Sequence, residues 1–460
     1  MYATLLDFGS TYTKVVCVNL DDGRIAVSDK VPSTVHEDAE IALDQCLHIA
    51  QRAIGCAAVA ESLKLASSSA AGGLRIAVSG LTQSLSSQAG RSACFGAGGK
   101  IVCSCAGILK QDDIDSIVDS GAEIILFCGG YENGNRQAVL RNARTLCESP
   151  VTIPVIYSGN SALVSEIRML FESHGKECFI TENIIPNVGK LNIGPTVEVI
   201  RNIFMNRITN MMGVSGVQQR MDGPITPTPA AVLKAGELLY RGTEQEPGIG
   251  PYMMADIGGA TTDIYSFAEN IAYDGARTAG LPEPVCKRTV EGDMGMRESS
   301  ASLAAETGAS RIAETCGITE EEVQKAVEHR MEHHDYVADT PAERQFDLCL
   351  AANAVRISAE RHAGRIQREL DHGTRLVQYG KNLTDVQTVI GTGGILVNSA
   401  ASDSRHILEQ IRRTSEDRLL PDQIGTHVDR NYVFYAAGLI ADRYPDCAVA
   451  MMKNSAGLQK

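Results

Sequence analysis

No excess of basic residues is present in this 460-residue chain: 42 Lys and Arg stand against 56 Asp and Glu, for a formal net charge of -14. A nucleic-acid partner is therefore not expected, because grip on a phosphate backbone starts from a basic face that displaces counterions. No apolar run approaches the roughly 18 residues of a membrane-crossing helix, so no membrane partner is expected. A secretory start is also missing, since Asp7 interrupts the first apolar residues. The 13 Cys are odd in number and follow no framework spacing, which points to reduced thiols in a cytoplasmic protein rather than to disulfides. Aromatic residues are scarce at 5%, but 44% hydrophobic and 21% charged residues are proportions of a soluble globular chain. At roughly 150 residues per domain the length suggests about three units.

What is present begins with three strand-like runs, Ala3 to Asp7, Thr13 to Leu20 and Ile25 to Lys30, with Asp21-Asp22-Gly23 as a turn. The spacing of Ile41, Leu43, Leu47, Ile54 and Val59 predicts a helix between Glu37 and Leu65. From residue 76 to 185 short apolar runs alternate with amphipathic helices, which predicts an inserted α/β module with a parallel sheet. Gly223 to Pro229 carries three prolines and reads as a hinge entering a helix from Ala230 to Tyr240. The opening pattern then returns as Tyr252 to Asp256, Thr262 to Phe267 and Ile271 to Thr278. Aligning Asp7 with Asp256 also aligns Gly9 with Gly258 and Thr13 with Thr262, an offset of 249 residues (256 minus 7). Two related lobes follow from this internal repeat.

The second half continues with a capping box at Thr319-Glu320-Glu321-Glu322, where the acidic run suits a helix start, and with Pro341 opening a helix to about Leu370. Val386 to Ile390 reads as a buried strand running into Gly391-Thr392-Gly393-Gly394, with a helix from Ser404 to Ser415 behind it and a closing helix from Tyr432 to Tyr444. The expected partition is a first lobe of residues 1–75 and 186–250 with helix 430–445, the inserted module at 76–185, and a second lobe at 251–429.

The chemistry sits in the turns. A tight hairpin with Gly and Ser or Thr in its turn presents backbone N–H groups to phosphate oxygens, and two facing hairpins make a clamp. The candidates are Gly9, Ser10, Thr11, Tyr12, Thr13 and Lys14 in one lobe, and Gly258, Gly259, Ala260, Thr261 and Thr262 in the other. Asp7 and Asp256 end the preceding strands, where each can hold Mg²⁺ through its waters or act in catalysis. Lys14 can offset charge on the β and γ phosphates. The loop Gly391, Thr392, Gly393, Gly394 and Ile395 leaves room for a backbone to pass an adenosine. His329, His333 and His334 read as a solvated helix end rather than a metal site, and Cys103-Ser104-Cys105 as a strand rather than a cluster ligand.

Asp7 to Lys14, Asp256 to Asp263 and Val389 to Ile395 resemble, in order and spacing, the two phosphate motifs and the adenosine motif of the superfamily of actin, the heat-shock chaperones and sugar kinases. Pro227 to Tyr240 and Asn431 to Ala441 resemble its two connecting helices, with Gly438 at their crossing. The resemblance implies two ribonuclease H-like lobes, the actin-like ATPase fold, with ATP and Mg²⁺ as ligands. Within it the chain is most similar to the reactivating ATPases of cobalamin-dependent glutamate mutase, through Leu5 to Lys14, Pro186-Asn187-Val188-Gly189 and Val290-Glu291-Gly292-Asp293-Met294-Gly295-Met296-Arg297. That family implies a chaperone-like activity in which ATP drives damaged cobalamin from an inactivated mutase. Cobalamin enters only through the client, a homodimer is among the expected assemblies, and Glu291 and Arg297 become candidate base contacts. Where several superfamily members carry Glu or Gln to position the lytic water, this chain has Thr226 and Thr228, so slow hydrolysis is expected and the general base stays unassigned. A small-molecule kinase of the same fold, an activator of a radical dehydratase and a filament-forming protein are the competing readings.

Overall fold

The computed structural model describes the chain except residues 10, 36, 70–73, 209–213, 370–374 and 459–460. The amino-terminal runs form an antiparallel meander of β1 (Tyr2–Phe8), β2 (Tyr12–Asn19) and β3 (Ile25–Pro32). The following helix, Ala39–Ile54, starts on the Asp38 side chain and stops at Gly55, whose φ of 89° favours glycine. The expected continuation to Leu65 is thus corrected: after a short helix at Cys56–Glu61, the chain enters β4 (Leu63–Ser68), parallel to β1.

Next come β5 (Arg75–Gly80), β6 (Lys100–Ala106), β7 (Ile124–Cys128), β8 (Val155–Tyr157) and β9 (Cys178–Ile180), all parallel, in the order β6-β5-β7-β8-β9. This is the separate sheet of the inserted module. One of its faces shares a core with the first lobe, since Ile76, Val78, Ala89 and Ile124 belong to the same apolar cluster as Leu6, Val15 and Leu43. The chain returns to the first sheet as β10 (Thr226–Pro227), beside β4. The helix behind it is longer than expected, Thr228–Arg241, and takes in Pro229; a proline is tolerated in a first turn because the N–H it lacks has no partner there.

In the second half, β11 (Tyr252–Ile257) and β12 (Thr262–Phe267) form the expected hairpin. The third meander strand is a correction: β13 (Ala276–Ala279) leaves for another sheet, and β14 (Cys286–Glu291) pairs with β12. The helix from Pro341 ends at His362, and β15 (Arg365–Glu369) follows, antiparallel to β16 (Arg375–Tyr379); Leu370, the expected helix end, lies outside the described residues. Beside β11 run β17 (Thr388–Thr392) and then β18 (Gly425–Val428), both parallel. Past the Gly391 loop come short helices at Gly394–Asn398 and Ala401–Leu408 in place of Ser404 to Ser415, and the Tyr432 to Tyr444 prediction resolves into Phe434–Ile440 with a further helix, Pro445–Ala456.

The two main sheets are built alike. Each lists third, second and first meander strands, then two parallel strands: β3-β2-β1-β4-β10 and β14-β12-β11-β17-β18. Two ribonuclease H-like lobes with an α/β insertion, the actin-like ATPase fold, are therefore what the chain adopts. Between the sheets lies one apolar cluster in which Leu5 and Val16 of the first lobe meet Tyr252 and Phe267 of the second, through Val232, Leu239 and Phe434 of two helices. Those helices cross at Gly438, where a Cβ would lie 2.0 Å from the Ala231 carbonyl oxygen. No helix among the described residues is long and apolar enough to cross a membrane.

Candidate functional site

The hairpins repeat at the level of single hydrogen bonds. Gly9 N–H donates to the Tyr12 carbonyl at 3.1 Å, and Gly258 N–H donates to the Thr261 carbonyl at 2.9 Å, the same 249-residue offset that the sequence shows. Asp7 pairs across its hairpin with Lys14 and lies beside Ser67 of β4; Asp256 pairs with Asp263 and lies beside Thr392 of β17. The two turns meet at a cavity of about 710 Å³, within the size range of small-molecule sites.

Each turn has its carbonyl edge tied down. In the first, Ser33 accounts for two bonds: its N–H donates to Thr11 O at 2.9 Å and its hydroxyl to Gly9 O at 2.6 Å. In the second, Met296 N–H donates to Gly258 O, Arg297 N–H to Gly259 O, and Ser299 Oγ to Ala260 O. Gly295 permits this contact, since a Cβ there would lie 2.3 Å from the carbonyl carbon of Ala260. With the carbonyls engaged, the amides of Gly259 and Ala260 have no acceptor among the described residues, and such orphan N–H groups are what a phosphate satisfies. The Val290 to Arg297 stretch is thus first of all a brace for the second turn.

Asp7 is buried, and Oδ1 accepts from Ser67 Oγ at 2.8 Å and from Thr228 Oγ1. Its Oδ2 accepts from Lys14 Nζ at 3.2 Å. Burial works against the Lys14 ammonium, but the combined pull of Asp7, Asp256 and Asp429 outweighs it and holds its pKa above the usual lysine value. The ammonium lies 5.3 Å from the Tyr432 ring centroid and 6.0 Å from that of Tyr435, contacts that favour a fixed cation. Tyr432 adopts a φ of 51°, uncommon for a non-glycine residue. Asp256 is half-buried, and its carboxylate has no hydrogen-bond partner among the described residues. Burial and the neighbouring Asp263 push its carboxyl up to about 6, against the pull of Lys14 and Arg288. Burial likewise raises Asp429, whose carboxylate accepts from Ser455 and from Phe434 N–H.

Of the residues singled out in the sequence, Asp7, Thr11, Tyr12, Lys14, Asp256, Gly258, Gly259, Arg297, Thr392, Gly393, Gly394 and Ile395 line the cavity. Gly9, Ala260 and Thr261 of the turns and Thr13, Thr262 and Gly391 of the adjoining strands do not line it; Thr262 Oγ1, for example, donates to Met294 O at 2.7 Å. Ser10 lies outside the described residues. Glu291 does not line it either: its carboxylate accepts a 2.8 Å bond from Arg361 of the helix Pro341–His362. Arg297 lines the cavity while fixed by Asp347 at 3.0 Å and by the Tyr336 carbonyl. The glycines of the third element divide their roles. A Cβ on Gly393 would lie 2.3 Å from the Ile257 carbonyl oxygen, so this glycine lets β17 approach β11; one on Gly394 would meet nothing closer than the Tyr432 hydroxyl at 4.0 Å, leaving open space.

Lys30, Thr228, Arg344, Asp429 and Tyr432 also line the cavity and were not anticipated there. Of these, Thr228 and Tyr432 carried a signal, their places at the starts of the two connecting helices.

Fold and site together define a protein of the actin-like ATPase fold with a cleft between its two lobes. The chain belongs to the MutL protein family, whose profile matches residues 3–456. It is 36% identical over 452 residues, 98% of each chain, to Protein MutL of Clostridium tetanomorphum. Among solved structures it is similar to an activator of the 2-hydroxyisocaproyl-CoA dehydratase from Clostridium difficile with bound ADPNP, at 10% identity and a TM-score of 0.32, covering 100% of this chain and 98% of that one. A carbohydrate kinase from Novosphingobium aromaticivorans is similar at 11% identity and a TM-score of 0.31, covering 96% and 91%.

Proposed function

We propose that this protein binds ATP with Mg²⁺ between its lobes, hydrolyses it slowly, and couples lobe closure to release of damaged cobalamin from a cobalamin-dependent mutase, with glutamate mutase as the client. The observation that carries the nucleotide part is the pair of turns with matching register and braced carbonyls, facing one cavity, with amides free in the second. The client part rests on membership of the MutL family and on the resemblance of the Leu5 to Lys14 and Val290 to Arg297 stretches. A cytoplasmic location and a homodimer go with this reading, as does a partition at residues 76–185 for the inserted module.

The residues present fit the ligands. Asp256 offers a carboxylate with no protein partner, and Asp7 one fixed in place by two hydroxyls and an ammonium; Mg²⁺ commonly takes one or two carboxylates, often through water, and leaves the rest of its shell to phosphate. Bound there, the ion would offset charge on the phosphates. Lys14 fixes the phosphates from the first lobe, the Gly259 amide from the second, and Thr392 to Ile395 with Arg297 hold the adenosine end. Thr228 orients Asp7 through its hydroxyl. Closure changes client affinity only as far as the client distinguishes open from closed states.

The test is to incubate cobalamin-inactivated glutamate mutase with this protein, intact coenzyme and ATP. Restored turnover that needs ATP supports the reading. Binding neither to the mutase nor to its inactivated form, with no rescue, would discard the client assignment, and ADP release that depends on an added small-molecule hydroxyl compound would favour a kinase instead.

A further inference from the structure

The helix Gln88–Gly96 of the inserted module packs on β14 of the second lobe. Near its start, Gln88 Nε2 donates to Glu283 at 3.2 Å. At its other end, where carbonyls run out of helical N–H partners, the Phe95 carbonyl, which also accepts from Gly98 N–H at 3.0 Å, and the Gly96 carbonyl are each met by a guanidinium group, the two coming from different lobes. Arg288 of β14 donates to the Phe95 carbonyl at 3.4 Å, and Arg201, on the first-lobe helix Gly194–Ile208, donates to the Gly96 carbonyl at 3.1 Å. A cation at a helix carboxyl end also meets the favourable end of its dipole.

Arg288 faces two ways. Its other nitrogen, Nη2, lies 2.9 Å from Asp263 Oδ2, in a pair of which both members are buried. Asp263 stands directly across the hairpin from Asp256 and, by the 249-residue offset, occupies in the second lobe the place that Lys14 holds in the first. The pair is incomplete: Asp263 Oδ1 and Arg288 Nε are buried with no hydrogen-bond partner among the described residues. A buried ion pair with unsatisfied atoms is costly to keep in one arrangement, which suits a link that exchanges partners. The same strand runs on into Met294 to Ser299, the brace on the second phosphate turn.

We propose that Arg288 is the positioning residue through which the nucleotide cleft sets the placement of the inserted module, by dividing its guanidinium between Asp263 behind the second phosphate turn and the carboxyl end of helix Gln88–Gly96. The inference rests on the reading of the cleft as a nucleotide site and adds a residue and a route to it. When the lobes move about the Gly438 crossing, Arg201 keeps the helix end with the first lobe, and Arg288 decides whether the second lobe carries it along.

The test is hydrogen–deuterium exchange across Gln88 to Gly99 in the full chain, with and without a non-hydrolysable ATP analogue, beside a direct binding titration of that analogue. In the unmodified protein the nucleotide should change exchange in this segment several-fold. In Arg288→Gln the analogue should still bind within about threefold of normal, a free-energy change of about 0.7 kcal/mol, while exchange becomes fast and nucleotide-independent; Arg288→Lys should restore part of the response. Asp263→Asn should act in the opposite sense, leaving Arg288 on Phe95 and the segment protected in both states. An unaltered nucleotide response in Arg288→Gln, or a segment in the unmodified protein that ignores a bound nucleotide, would overturn the link while leaving the cleft assignment standing. Failure of the unmodified protein to bind the analogue would overturn the cleft reading and the link with it.

Discussion

At the first turn Asp7 faces a lysine across its hairpin, whereas at the second Asp256 faces another aspartate. The two hairpins share strand register and the turn-closing bond, but Lys14 neutralises the first carboxylate, whereas burial and then Asp263 raise the second. Asp7 is held by Ser67, Thr228 and Lys14; Asp256 has none of these. A duplicated hairpin has in this way become one rigid anchor and one carboxylate free to take up a ligand. The comparison teaches that turn geometry fixes where a phosphate can sit, while the residue across the strand fixes what each carboxylate can do.

The largest expected effect is on that free carboxylate. Asp256→Asn should lower ATP turnover by about a hundredfold or more, the scale on which a transition-state charge contact is lost, measured as phosphate release. Equal turnover in Asp256→Asn and the unmodified protein would break the comparison. Next comes the backbone: Gly393→Ala forces a Cβ onto the Ile257 carbonyl at a φ of 108° and should cost about 1–3 kcal/mol, read by denaturant unfolding. Gly394→Ala, in open space, should leave stability nearly unchanged and weaken nucleotide binding instead.

The third is a pH effect. Burial and Asp263 raise the folded pKa of Asp256 from 3.8 to about 6, so between those values the folded chain holds a proton that the unfolded chain has lost. Its stabilising contribution is fully present below about 3.8 and is lost as the pH rises through about 6, by roughly 1–2 kcal/mol for a half-buried group. Denaturation across this range should show Asp256→Asn flattening the slope and Asp263→Asn moving it to lower pH. The smallest is Thr228→Ala, which removes one hydroxyl bond to Asp7 and should cost about 1 kcal/mol, seen as a severalfold loss of nucleotide affinity with the fold intact.

Much of this was legible because local chemistry and global position agree. The two Asp-x-Gly turns, their common offset, the capping box at Thr319 and the small residue at Gly438 are signals carried by a few neighbouring residues, and the structure uses each. Other features depend on distant partners. Leu63–Ser68 is a short apolar run continuous with a helical pattern, and only its pairing with β1 makes it a strand. Cys286–Glu291 was hidden by its polar residues, Lys287, Arg288 and Glu291, whose partners are Glu283, Asp263 and Arg361. Asp429 and Tyr432 reach the cleft only because the carboxyl-terminal helices return to the first sheet. The Val290 to Arg297 stretch stood out in the sequence, yet its bracing of the second turn follows from backbone bonds that no residue pattern encodes.

The central claim, that two hairpins from separate lobes clamp one triphosphate, is tested most directly by calorimetric titration of ATP with and without Mg²⁺ into the unmodified chain, Lys14→Met and Asp256→Asn. The account predicts a single Mg²⁺-dependent site weakened about tenfold or more by either substitution, a loss of about 1.4 kcal/mol or more. Absence of binding, or binding indifferent to a change in one lobe, would contradict it.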